Sequence, residues 1–157
     1  MAGLLLQLGA EGPRRDGVRA LVLAPTRELA MQVLGTCRAL RRPCGVRSEA
    51  IYGGEPREDQ IEAMEASGLH LLVATTGRLV DMVLSRDVRL DHATLLVLDE
   101  ADRLLATGNL ETILKLHAKL PPRGRTGGGA RCAWLMQAWT LVGQCVRYAV
   151  IATNLNR

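Results

Sequence analysis

Phenylalanine is absent from this chain, and its aromatic residues amount to two Tyr and two Trp. A core built from these 157 residues is therefore aliphatic, and the length with 48% hydrophobic content supports one compact domain. Cysteine is sparse as well. Cys37, Cys44, Cys132 and Cys145 have neither metal-ligand spacing nor the density of a disulfide scaffold. This favours a reducing, intracellular compartment, cytoplasmic or nuclear, over secretion. Long hydrophobic runs are also missing. Met1 to Leu8 is apolar but too short to span a membrane, and it lacks the basic start of a signal peptide, so no membrane role is expected. Acidic residues stop at Glu111, whereas Arg123, Arg125, Arg131, Arg147 and Arg157 follow it. Residues 1–120 carry 15 basic and 16 acidic groups, so the net charge of +4 comes from the tail. Any nucleic-acid binding by residues 1–120 needs placed groups and backbone amides instead of a bulk positive field.

What the chain does have is organised around Thr94-Leu-Leu-Val-Leu98, followed at once by Asp99-Glu100-Ala101-Asp102-Arg103. A short apolar run bounded by charge reads as a strand buried on both faces, as in a parallel α/β sheet. Ligand crevices of such sheets lie at the carboxyl ends of the strands, where this run places three carboxylates. Adjacent carboxylates repel unless a cation or proton intervenes, which suits a magnesium–phosphate site. The plainer alternative is a charged first turn of a solvated helix.

Strands and helices alternate on either side. Ala20–Ala24 reads as a strand ended by Pro25, with Thr26 as N-cap of a helix whose inner face is Leu29, Val33, Cys37 and Leu40. Pro43 and Gly45 end that helix. Val46–Tyr52 reads as a strand stopping at Gly53-Gly54, and Pro56 opens a helix through Met64, with Ile61 and Met64 inward. Leu69–Ala74 is the next strand, Thr75-Thr76-Gly77-Arg78 opens the next helix, and Asn109 caps another carrying Ile113, Leu114 and Leu116. This is the pattern of a doubly wound parallel sheet. Residues 121–131, rich in Pro, Gly and Arg, read as a linker. In 132–157 a polar stripe of Gln137, Thr140, Gln144 and Arg147 predicts an amphipathic helix.

The string Asp99-Glu100-Ala101-Asp102 resembles the magnesium and ATP-hydrolysis motif of the DEAD-box RNA helicases, down to its Arg-Leu-Leu continuation. Pro25-Thr-Arg-Glu-Leu-Ala30 is similar to that family's first RNA-backbone motif, and Gly53-Gly54 to its glycine pair. Thr75-Thr76-Gly77-Arg78 resembles the second RNA-backbone motif, with Thr76 where the family usually has Pro. The resemblance covers about residues 4–120. It implies an α/β fold of the RecA-like, P-loop NTPase type, here incomplete, and an ATP hydrolase using ATP and Mg2+ to unwind RNA. By the same resemblance Asp99 holds magnesium through water and Glu100 orients the attacking water. Asp102 links nucleotide state to RNA, while Thr26, Arg27, Gly53, Gly54, Thr75, Gly77 and Arg78 contact the RNA backbone without reading sequence.

Other family features have no counterpart among these residues. No Gly-Lys-Thr or Gly-Lys-Ser run occurs, and neither Lys115 nor Lys119 follows a Gly. Leu4 to Leu8 resembles the end of the helix that follows the phosphate loop. The Ser-Ala-Thr motif is replaced near its place by Arg131 to Trp139, and no second RecA-like domain is recognisable. The expectation is a helicase fragment that does not hydrolyse ATP alone, with strand edges left unpaired and marginal stability. A non-enzymatic RNA-backbone-binding module and an inert truncated product are the alternatives.

Overall fold

The computed structural model describes residues 18–39, 41–93, 95–120 and 148–152. The linker expected at 121–131, Leu4 to Leu8 and most of 132–157 lie outside them. Five strands form one sheet: β1 (Ala20–Ala24), β2 (Ser48–Ile51), β3 (Leu71–Thr75), β4 (Leu95–Asp99) and β5 (Tyr148–Ala152), in the order β2-β3-β1-β4-β5. The first four are mutually parallel. Between and after them run α1 (Arg27–Ala39), the single turn α2 (Arg41–Cys44), α3 (Arg57–Ser67), α4 (Thr76–Leu84), α5 (Ala101–Ala106) and α6 (Leu110–Lys119).

The apolar runs of β1 and β4 are buried along their whole length because both faces of the sheet are covered. On one face Ala20, Val22, Val73 and Val97 meet Ala30 and Cys37 of α1. On the other, Leu21, Leu23, Leu72, Leu96 and Leu98 meet Leu79 and Met82 of α4, Leu104 of α5 and Ile113 and Leu116 of α6. Alternation along each strand thus feeds two aliphatic layers, which is how a chain without Phe fills a core. Gly68 closes α3 in the left-handed region at φ 58°. That backbone calls for glycine, and a Cβ there would displace the Arg47 guanidinium, whose Nη2 lies 2.9 Å away.

The expected elements are present with shifted bounds. The strands read as Val46–Tyr52 and Leu69–Ala74 are Ser48–Ile51 and Leu71–Thr75. The helix read as ending at Pro43 and Gly45 is described over Arg27–Ala39 and Arg41–Cys44, with residue 40 outside the described residues.

The polar stripe that predicts an amphipathic helix in 132–157, Gln137, Thr140, Gln144 and Arg147, lies outside the described residues. The five described residues of that stretch, Tyr148–Ala152, form a strand. It pairs antiparallel with β4 from Leu95↔Ala152 to Asp99↔Tyr148. Val and Ile suit a strand, and the outer edge of β4 offers a ladder of unpaired N–H and C=O groups. The sheet is thus parallel through four strands and bounded beside β4 by an antiparallel one.

Candidate functional site

The register brings the motifs together. Ala24 pairs with Thr75, Leu23 with Leu98 and Ile51 with Ala74, so the carboxyl ends of all four parallel strands lie along one rim. That rim is where an α/β sheet binds ligands. It carries Thr26 and Arg27 after β1, Gly53 and Gly54 after β2, Thr75 to Arg78 after β3, and Asp99 to Asp102 after β4.

Three of these segments interlock. Arg27 Nη2 donates to Glu55 Oε1, and the Arg27 guanidinium lies over the Tyr52 ring at 4.9 Å. Gly54 holds φ at 85°, and a Cβ on it would meet Arg27 Nη1 at 3.4 Å. Arg78 reaches the same turn from the other side: Nη2 donates to the Glu55 carbonyl at 3.0 Å and Nη1 to Gln60 Oε1 at 3.4 Å. Gln60, buried on α3, also donates to the Tyr52 carbonyl at 3.0 Å and accepts the Tyr52 N–H at 3.3 Å. Arg27 and Arg78, 51 positions apart in sequence, are thereby joined through one turn.

Thr26 caps α1: its hydroxyl accepts the Leu29 N–H at 3.3 Å, and its carbonyl accepts Ala30 N–H at 3.0 Å. The Glu28 carboxyl is held below the ordinary carboxylate range, first by its own backbone N–H and then by the Thr26 side chain. The charges of Arg27 and Arg103 add smaller pulls. Thr75 precedes α4 with an extended backbone, and its side chain makes no cap hydrogen bond. Gly53 and Gly77 face open space, since a Cβ on either would meet nothing within 4 Å. Thr76, in the place of the usual Pro, is buried and donates to Asn109 Oδ1 at 3.0 Å, tying the start of α4 to that of α6.

The acidic end of β4 is built differently. Asp99 is 6% exposed at the strand's last position. Glu100 sits in the left-handed region, φ 46° and ψ 54°, a strained conformation for a residue with a side chain. Its carbonyl accepts the N–H groups of Arg103 and Leu104, and its Oε2 accepts Arg103 Nη1 at 3.3 Å. Asp102 is exposed in the first turn of α5, where a carboxylate complements the helix dipole.

Sequence reasoning missed Glu55 and Gln60, read Tyr52 only as a strand end, and read Asn109 as a helix cap, although its side chain makes no cap hydrogen bond and its Oδ1 instead accepts from Thr76. Gln60 had a legible signal, being a polar residue on the same face of α3 as Met64. Glu55 had none, because an acid after a glycine pair reads as an ordinary turn residue.

Comparison with known proteins bears on what this rim is. A family model described as "DEAD/DEAH box helicase" matches residues 2–130. The ATP-dependent RNA helicase RhlB of Pasteurella multocida is 43% identical over 118 residues, which is 75% of this chain and 27% of that protein. The DEAD-box ATP-dependent RNA helicase 30 of Arabidopsis thaliana is 40% identical over 84% of this chain and 22% of its own length. The crystal structure of a hypothetical ATP-dependent RNA helicase from Sulfolobus tokodaii superposes with a TM-score of 0.63 at 30% identity, covering 75% of this chain and 33% of that one. The chain spans between 20% and 27% of the length of these and similar curated relatives. With the motifs aligned along one sheet rim and the family model matched over most of its length, the chain belongs to the DEAD/DEAH box helicase family.

Proposed function

We propose that this chain is the RNA-gripping part of the first RecA-like domain of an ATP-dependent RNA helicase, which couples RNA-dependent ATP hydrolysis to duplex unwinding inside the cell. The observation that carries this reading is the meeting of Arg27 and Arg78 at the Gly54–Glu55 turn. Two guanidinium groups, glycine turns with open space above them and helix starts suit phosphates, not base edges. Thr26, Arg27, Gly53, Gly54, Thr75, Gly77 and Arg78 contact the RNA backbone.

Asp99 and Glu100 serve the nucleotide. Mg2+ keeps several waters and takes one or two carboxylates together with substrate phosphates, a role that the carboxylate at the end of β4 suits. Asp99 is the residue that would hold the ion, which would supply charge neutralisation for phosphoryl transfer. Glu100 orients the attacking water from its constrained backbone, and Asp102 couples nucleotide state to RNA. Among the described residues no helix is long and apolar enough to cross a membrane.

The polypeptide of these 157 residues contains no Gly-Lys-Thr or Gly-Lys-Ser loop to cradle the β- and γ-phosphates. By itself it binds RNA without turning over ATP at a helicase rate, and turnover requires a phosphate loop and a second RecA-like domain. The test measures single-stranded RNA binding and RNA-stimulated phosphate release on the purified chain. Binding with no release is expected. Release abolished by Glu100→Gln would refute the requirement for further segments, and absence of RNA binding would refute the gripping role.

A further inference from the structure

Among the proposed RNA contacts, Arg27 already has an anionic partner. Glu55 Oε1 accepts from Arg27 Nη2, and the two side chains are 41% and 40% exposed, so this is an open ion pair on the proposed RNA surface. One face of the guanidinium lies over Tyr52, and a Cβ on Gly54 would meet Nη1 at 3.4 Å. A phosphate oxygen arriving from solvent therefore meets a guanidinium already paired through Nη2 and, beside it, a carboxylate of its own sign. Glu55 is also held in place, because Gly54 fixes the turn before it and Arg78 Nη2 binds its carbonyl at 3.0 Å. The Glu55 backbone supports one arginine while its side chain occupies the other.

We propose that Glu55 is an internal counter-anion that competes with the RNA phosphate for Arg27, so that RNA engages this rim by exchanging a phosphate for a carboxylate. The inference rests on the reading of Arg27 as an RNA contact and adds regulation of that contact. An arginine neutralised in advance releases fewer ions from the RNA when it binds, so the salt dependence is shallower than the count of arginines implies. Displaced, the Glu55 carboxylate stays on the same surface and repels the bound strand.

The test is the affinity of a fluorescent oligouridylate across a potassium chloride series. It compares the full chain with Glu55→Gln, Arg27→Ala and the double variant. Gln keeps the size and hydrogen-bonding capacity of Glu and removes its charge. Glu55→Gln is expected to tighten binding about two- to five-fold at low salt, the range of an exposed ion pair. It should steepen the logarithmic salt slope by about 0.7, one phosphate's worth on a single strand. Both effects should vanish in the Arg27→Ala background. Tightening that persists there would mean a general charge effect and would overturn the proposal. Arg27→Ala that weakens binding while Glu55→Gln weakens it or leaves it unchanged would also overturn the proposal, leaving Arg27 as an RNA contact. If Arg27→Ala has no effect at all, Arg27 is not an RNA contact, and the proposal falls with that assignment.

Discussion

The two halves of the rim are put together in opposite ways. At the ends of β1, β2 and β3, Arg27, Tyr52, Glu55, Gln60 and Arg78 hold one another through hydrogen bonds across three connections. At the end of β4, Asp99, Glu100 and Asp102 come from one local turn, and Glu100 is held in a strained backbone conformation. The proposed RNA surface is built from groups far apart in sequence and fixed by tertiary contact. The proposed site for ion and water is encoded in four consecutive residues, with one of them in the left-handed backbone region.

The largest effect expected from this difference is on RNA. Arg27→Ala with Arg78→Ala should lower single-stranded RNA affinity by roughly tenfold or more, given about 1.5 kcal/mol or more for each charge-assisted hydrogen bond. Asp99→Asn should leave that affinity within about twofold, since Asp99 ends β4 in the other half of the rim. Equal losses measured by fluorescence anisotropy would break the comparison.

Next comes the joint between the arginine segments. Gln60→Leu leaves the Tyr52 N–H and carbonyl without their partner and should destabilise the chain by about 1–3 kcal/mol in urea unfolding. A loss confined to RNA affinity, with stability unchanged, would show that Gln60 does not support the turn.

Strain at Glu100 makes an inverted prediction. Glu100→Gly relieves the left-handed backbone and should raise unfolding free energy by about 0.5–1 kcal/mol, the strain released less the glycine entropy. Gly77→Ala on the other half should gain a similar amount, because a Cβ there meets nothing in the protein. Its RNA affinity should nevertheless fall if the strand approaches that backbone. A destabilised Gly77→Ala chain would mean that the glycine serves packing.

An effect that shows only at alkaline pH, and is nil at neutral pH, concerns Cys37 on α1, beneath the proposed gripping half. Burial pushes its thiol up to about 11. The folded state therefore binds the thiol proton more tightly than the unfolded chain does. That contribution is complete below about pH 8.5, where even the unfolded thiol is protonated, and is lost as pH rises toward about 11. Comparing the pH profile of melting with that of Cys37→Ala isolates it, and identical profiles up to pH 11 would contradict it.

Much of the fold was legible because parallel strands buried on both faces leave unbroken apolar runs, as in Leu21–Leu23 and Leu95–Leu98. The acidic half was legible for the same reason of locality. Arg27 and Arg78 could be nominated from their motifs, but their meeting at Glu55 could not, since it depends on strand register and on a turn set by Gly54. β5 was missed because its partner, not its own pattern, decides its conformation: Tyr148–Ala152 pairs with β4 from the far end of the chain.

The most direct test of the gripping surface is a salt series of RNA affinity on three proteins. These are the full chain, the chain with Arg123, Arg125, Arg131, Arg147 and Arg157 replaced by Gln, and the chain with Arg27→Ala and Arg78→Ala. Binding that survives loss of the tail arginines with a shallower slope, and that collapses in the double variant, is the expected result. Binding that disappears with the tail arginines and is untouched by the double variant would contradict it.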